Sequence, residues 1–186
     1  MIQSKHEMKF FIIEDWNRNI GGDYSFITYM KKLLLCYESA KVFRYLKSLR
    51  KLEYTINCIK SRTFFGKICY YIRWWYNMYL SRKYGILIRP NTVGYGLYIP
   101  HIAGGVIVVC KSMGYHCTIN CGVVIGVKNT LDEIPIIGNQ CEINAGCKIF
   151  GKIEIGSNVK LGPNTVVFKD IPDNSIVSGV PGKIIK

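Results

Sequence analysis

The side chains in this sequence best suited to move a proton or hold a metal are three histidines and eight cysteines. His101 is the only histidine set in an apolar run. It lies in YIPHIAGGVIV, Tyr98 to Val108, after Pro100 and ahead of Gly104 and Gly105. An imidazole titrates near pH 6.5, so it can give or take a proton at neutral pH. The competing reading is a polar side chain satisfied by backbone at the end of a strand. The cysteines contain no CxxC pair, and Cys117–Cys121 and Cys141–Cys147 are the closest spacings. Zinc needs thiolates or imidazoles clustered at short spacing, so no metal is expected.

The element that must position His101 is a repeat. Stepping back in sixes from Val167 gives Leu161, Ile155, Ile149, Ile143 and Ile137, all aliphatic. Upstream, Ile107, Met113, Ile119 and Ile125 continue the register, and Ile88, Val93 and Ile99 follow with slips, one of them at His101–Gly105. A six-residue period with one aliphatic per unit predicts a left-handed parallel β-helix, three units to each triangular turn. Gly or Asn often follows the aliphatic, as at Gly138, Asn144 and Gly156, which suits a corner needing positive φ. Cys117, Cys141 and Cys147 fall four positions after an aliphatic, where a small apolar side chain fills a corner of the prism. The stretch 127–135 breaks the pattern and reads as a loop extruded from one coil.

Residues 1–85 follow a different rule. Apolar residues recur at helical spacing, predicting helices over roughly 26–38, 39–58 and 62–83, the last ended by Gly85. His6 is expected in a mobile tail. The predicted architecture is therefore mainly β: a basic, aromatic α-helical region over 1–85, then a β-helix over 86–186.

Charge is distributed unevenly along the chain. The net charge is +13, with 16 Lys/Arg against 6 Asp/Glu up to Gly85 and 9 against 6 beyond it. A basic front half points to an anionic partner, either a membrane surface or a phosphate-bearing substrate. In 62–83, Tyr70, Tyr71, Trp74, Trp75, Tyr76 and Tyr79 interleave with Lys67, Arg73, Arg82 and Lys83. That pattern fits a helix packed on the β-helix or on a partner subunit, one lying in a membrane interface, or aromatics that stack on a single-stranded nucleic acid. Nothing else resembles a nucleic-acid module. No export signal and no apolar run long enough to span a bilayer are evident, so a cytoplasmic protein is expected, perhaps at the inner face of the membrane.

The stretches YGILIRPNTVGYGLYIPHIAGGVIV, CTINCGVVIGVKN and the segment closing on GVPGKIIK resemble the hexapeptide-repeat acetyltransferases, in their serine-acetyltransferase-like branch. The resemblance covers about 100 residues. It implies transfer of an acetyl group from acetyl-CoA to a hydroxyl without a covalent acyl-enzyme, in a homotrimer whose site is completed by the adjacent subunit. His101 falls where the family's general base falls. Coenzyme A would run past Gly126, Ala145 and Gly162, with Lys169 and Lys183 near its phosphates, and His116 would occupy a variable surface corner.

Departures from the pattern bear on the acceptor. The family's serine enzymes carry an acidic residue before the catalytic histidine, where this chain has Pro100. They carry an arginine and a second histidine before the proline that reopens the repeat, where Glu133 and Ile134 precede Pro135. A serine carboxylate in a desolvated pocket needs a cationic partner, so a sugar hydroxyl is the expected acceptor, with capsule or surface polysaccharide as its destination. The alternatives are a serine O-acetyltransferase of cysteine biosynthesis and a non-catalytic β-helix scaffold docking through the aromatic helix. A metal hydratase resembling the β-helical carbonic anhydrases would need three histidines, and the repeat holds only His101 and His116.

Overall fold

The computed structural model describes all residues except 60–62, 129, 131 and 132. Four α-helices come first: α1 Lys5–Asn19, α2 Phe26–Leu34, α3 Glu38–Tyr54, which runs on into a π-helical turn Thr55–Ile59, and α4 Phe64–Tyr84. Short strands follow from Ile86 to Ile184 and form a left-handed parallel β-helix. Helices fill more of the described chain than strands do, so "mainly β" holds for 86–186 rather than for the whole.

The β-helix has three faces. One stacks Ile86–Ile88, Val106–Val108, Val123–Gly126, Lys148–Phe150 and Val166–Val167 in parallel register. A second stacks Ser112–Met113, Ile136–Ile137 and Glu154–Ile155. The third runs Thr118–Ile119, Glu142–Ile143, Lys160–Leu161 and Ile176–Ser178, and is closed by the antiparallel Lys183–Ile184. Alternation within each strand puts Ile125, Ile149, Val167, Ile137, Ile155, Ile143 and Leu161 inside. Cys117, Cys141 and Cys147 are buried at the corners, as the repeat requires. Their thiols point at the next coil: Cys141 Sγ lies 3.1 Å from Gly156 O and Cys147 Sγ 3.1 Å from Gly162 O. Burial pushes the Cys110 thiol up to about 11 and raises that of Cys147, so neither is primed to react.

Two details of the repeat differ from expectation. Ile107 points outward, 40% exposed, between buried Val106 and Val108, because the six-residue count slips between Val108 and Met113. The glycines after the aliphatics serve coil-to-coil closeness rather than positive φ. A Cβ at Gly138 would lie 2.6 Å from the Gly156 and Ser157 backbone. Positive φ falls two residues later, at Gln140, Gly146, Asn158 and Asn164.

The helices differ from expectation at their ends and at the N-terminus. The segment holding His6 is helical: Ser4 caps α1 by accepting from Glu7 N, and His6 is exposed in its first turn. Cys36, at φ 58°, separates α2 from α3. Residue 62, the start of the expected last helix, lies outside the described residues. Helix α4 ends where Gly85 adopts a left-handed φ of 68°.

Helices α1 and α3 cap the open edge of the first coil, whose backbone groups would otherwise have no coil to pair with. Tyr45 Oη accepts from Ile88 N at 2.9 Å, and Glu53 Oε1 accepts from Asn91 N at 2.8 Å. Arg50 donates to Val93 O at 2.8 Å and to Gly94 O at 2.6 Å, while Asp15 accepts from Leu97 N and Asn19 from Ile99 N. Fully buried Arg50 is neutralised by Asp15 at 2.8 Å and Glu53 at 3.1 Å. No helix among the described residues is long and apolar enough to cross a membrane.

Candidate active site

His101 sits where one coil carries extra chain. Register advances 18 residues from Ile149 to Val167 but 20 from Ile88 to Val108, and the surplus lies between Ile99 and Val106. The added residues leave the prism at Pro100 and return through Gly104 and Gly105, both at positive φ (86° and 78°), where a side chain would be strained. Gly105 N closes this turn by donating to Ile102 O at 3.1 Å. The larger surplus, 24 residues from Ile125 to Ile149, is the extruded loop, of which 129, 131 and 132 lie outside the described residues.

The His101 side chain is 66% exposed, and its Nδ1 lies 3.1 Å from Glu38 Oε2. Glu38 opens α3, so the contact joins the helical region to the β-helix across 63 residues of sequence. A carboxylate on Nδ1 selects the tautomer with hydrogen there and leaves the Nε2 lone pair free as a base. Nothing in the sequence flagged Glu38, whose acidic side chain suits any helix N-terminus.

The other residues assigned by resemblance fall into three places. Ala145 and Gly162 lie at corresponding corners of successive coils, leading into the first face; Ala145 O accepts from Asn164 N at 2.8 Å. Gly126 ends a strand at the opposite edge of that face and pairs with Phe150. Lys169 and Lys183 line one cleft of about 190 Å³ with Phe168 and Pro181, at the C-terminal end of the β-helix. The outward ladder between the two edges is apolar at its upper end, Leu87, Ile107 and Val124. His116 is at a corner, as expected, with φ 54°, but is tied to α1 through Glu14 at 3.1 Å. Among the described residues no three His, Cys, Asp or Glu side chains gather as a metal site.

Comparison with known proteins agrees with this fold. No protein-family model matches the chain. A serine acetyltransferase of Synechococcus elongatus is 36% identical over 104 residues, covering 54% of this chain and 43% of the relative. One from Staphylococcus aureus is 41% identical over 105 residues, 55% of this chain and 49% of the relative. The chain thus spans about half the length of the curated relatives it matches. Among solved structures, Neisseria gonorrhoeae serine acetyltransferase superposes with a TM-score of 0.74 at 27% identity, covering 98% of this chain and 68% of that one. A serine acetyltransferase solved in complex with CoA shares the fold, with a TM-score of 0.68 at 24% identity. The chain is therefore similar to the serine acetyltransferases in sequence over about half its length, and in fold over nearly all of it.

Proposed function

We propose that this protein is an acetyl-CoA-dependent O-acetyltransferase in which His101 is the general base. The observation that carries the reading is the His101–Glu38 pair, on a coil segment that leaves the β-helix and returns through two glycines at positive φ. Glu38 accepts the Nδ1 hydrogen, and Nε2 takes the proton of the acceptor hydroxyl as its oxygen attacks the thioester carbonyl. An alkanol is too weak an acid to ionise unaided at neutral pH, so proton removal must accompany bond formation. The tetrahedral intermediate then collapses, the C–S bond breaks, and the imidazolium returns its proton to the departing thiolate. The products are the acetate ester and free CoA, with no covalent acyl-enzyme.

Acetyl-CoA would lie along the first face, with pantetheine between the edges marked by Gly126 and by Ala145 and Gly162. The nucleotide phosphates would reach Lys169 and Lys183, whose shared cleft supports the assignment. The outward-facing Leu87 and Ile107, both exposed, and half-buried Val124 support packing of this face against a second copy, as a homotrimer would require.

L-serine is the acceptor that the comparisons favour over a sugar. A sugar hydroxyl is the second reading, and one observation supports it. The charged partner at His101 is the Glu38 carboxylate, which repels a serine carboxylate but not a neutral glycoside. A CoA-release assay run in parallel with L-serine, nucleotide sugars and simple glycosides decides the matter. Turnover of L-serine assigns the serine enzyme, and turnover of a glycoside alone assigns the sugar enzyme. No CoA release with any acceptor would leave the β-helix a scaffold.

A further inference from the structure

Helices α2, α3 and α4 enclose a cavity of about 370 Å³ that neither the proposed acetyl-transfer site nor the capping of the β-helix uses. Arg44, Lys47 and Lys51 of α3 and Arg73 of α4 line it, with the hydroxyls of Tyr29 and Tyr76; no carboxylate is among its described lining residues. Positions 44, 47 and 51 share one helical face, while Tyr45 and Arg50 turn to the β-helix, so the cavity opens away from His101.

The charge accounting within α3 is uneven. Its inward cation, Arg50, is paired with two carboxylates. The outward row has none: among the described residues, none of the four lining cations forms an ion pair. Arg44 Nε donates to Tyr76 Oη at 3.0 Å and Lys47 Nζ to Tyr24 Oη at 3.0 Å. Arg73 donates to Lys51 O at 2.9 Å and Thr55 Oγ1 at 2.6 Å, which aligns its guanidinium and leaves its other hydrogens for a ligand. Partial burial, and to a lesser degree the neighbouring Lys47 and Arg73, lowers the Lys51 pKa. Burial raises the Tyr29 pKa, so its hydroxyl remains a donor. Like charges at such spacing cost helix stability, and the cost is recovered when an anion binds.

We infer that this cavity is a binding site for a phosphate-bearing anion, a phosphomonoester or diphosphate whose carbon moiety lies against Ile72. Four cations and two phenol hydroxyls match a compact, multiply charged group with several acceptor oxygens better than a single carboxylate. The inference does not depend on the acetyl-transfer reading.

Inorganic pyrophosphate is the probe, titrated calorimetrically into the full chain at low salt, where surface electrostatics are least screened. The comparison is between Lys47→Gln/Lys51→Gln and Lys169→Gln/Lys183→Gln, which remove equal charge but at opposite ends of the molecule. We expect the first pair to weaken pyrophosphate binding at least tenfold and the second to change it less than twofold, both with unchanged circular dichroism. Wild-type protein that binds no pyrophosphate, or equal losses in the two variants, overturns the inference. So does a loss confined to the second, which would place the anion in the proposed CoA cleft. Sedimentation with phosphatidylglycerol vesicles, set against phosphatidylcholine vesicles, then identifies the source. Co-sedimentation lost in Lys47→Gln/Lys51→Gln makes a lipid headgroup the phosphate donor; pyrophosphate binding without co-sedimentation makes it a soluble phosphorylated compound.

Discussion

The β-helix and the helices before it are held together by opposite means. From Ile86 onward each coil repeats the last, and stability comes from stacking one aliphatic row per face and pairing backbone with the next coil. Before Gly85 nothing repeats. The helices instead supply single polar side chains, Tyr45, Arg50, Glu53, Asp15 and Asn19, each matched to one or two backbone groups of the first coil. A stack that propagates by self-pairing needs a different structure to stop it, and polar side chains on rigid helices can do so without offering another edge. The same helices deliver Glu38 to His101, so the cap and the candidate site share α3.

The sharpest way to break this contrast is at Arg50. Arg50→Ala leaves two buried carboxylates and two carbonyls without their partner, and should cost about 3–5 kcal/mol in chemical denaturation. A loss below about 1 kcal/mol would mean that the cap is dispensable. In the stack, Ile149→Ala should cost about 2–4 kcal/mol through a cavity between coils, whereas Ile149→Val should cost about 1 kcal/mol. Graded loss there and abrupt loss at Arg50 would separate packing from polar capping. Smaller still is the effect of Glu38→Gln, a substitution at a positioning residue. It should lower kcat about tenfold and displace the pH–rate profile, with little change in KM for acetyl-CoA. A purely structural role would leave the pH profile in place. The smallest effect is chemical: with a thiol reagent at pH 8, exposed Cys36 should react in the native protein. Cys110 and Cys147, buried and with raised pKa, should react only after unfolding. Rapid native labelling of Cys110 would show that the coils open.

The two regions were also unequally legible in the sequence. The inward rows from Ile119 to Val167 could be read because each position is specified again one coil later. Ile107 departs from the expected register because the count slips by one just after it, and a three-residue strand, aliphatic throughout, alternates too briefly to reveal which neighbour is inside. In α1, the Ser4–Glu7 pair and the fourfold spacing of Ile12, Trp16 and Ile20 were available signals, diluted by the polar residues between them. The site was half legible. His101 stood out by its break in the register, and the neighbouring glycines marked the turn by which the chain returns. Glu38 was not readable, since only the folded α3 brings it across 63 residues to the imidazole. The unpaired cations of α3 were equally hidden, because sequence shows lysines and arginines but not which of them lack a carboxylate.

The central claim is that His101 is the base of an acetyl transfer, and one rate measurement tests it most directly. CoA release from acetyl-CoA, measured with the acceptor the protein turns over, is compared between wild type and His101→Ala of matched circular dichroism. A base of this kind contributes about 10²–10⁴-fold, so the variant should lose at least a hundredfold in kcat. Undiminished turnover by His101→Ala would contradict the account.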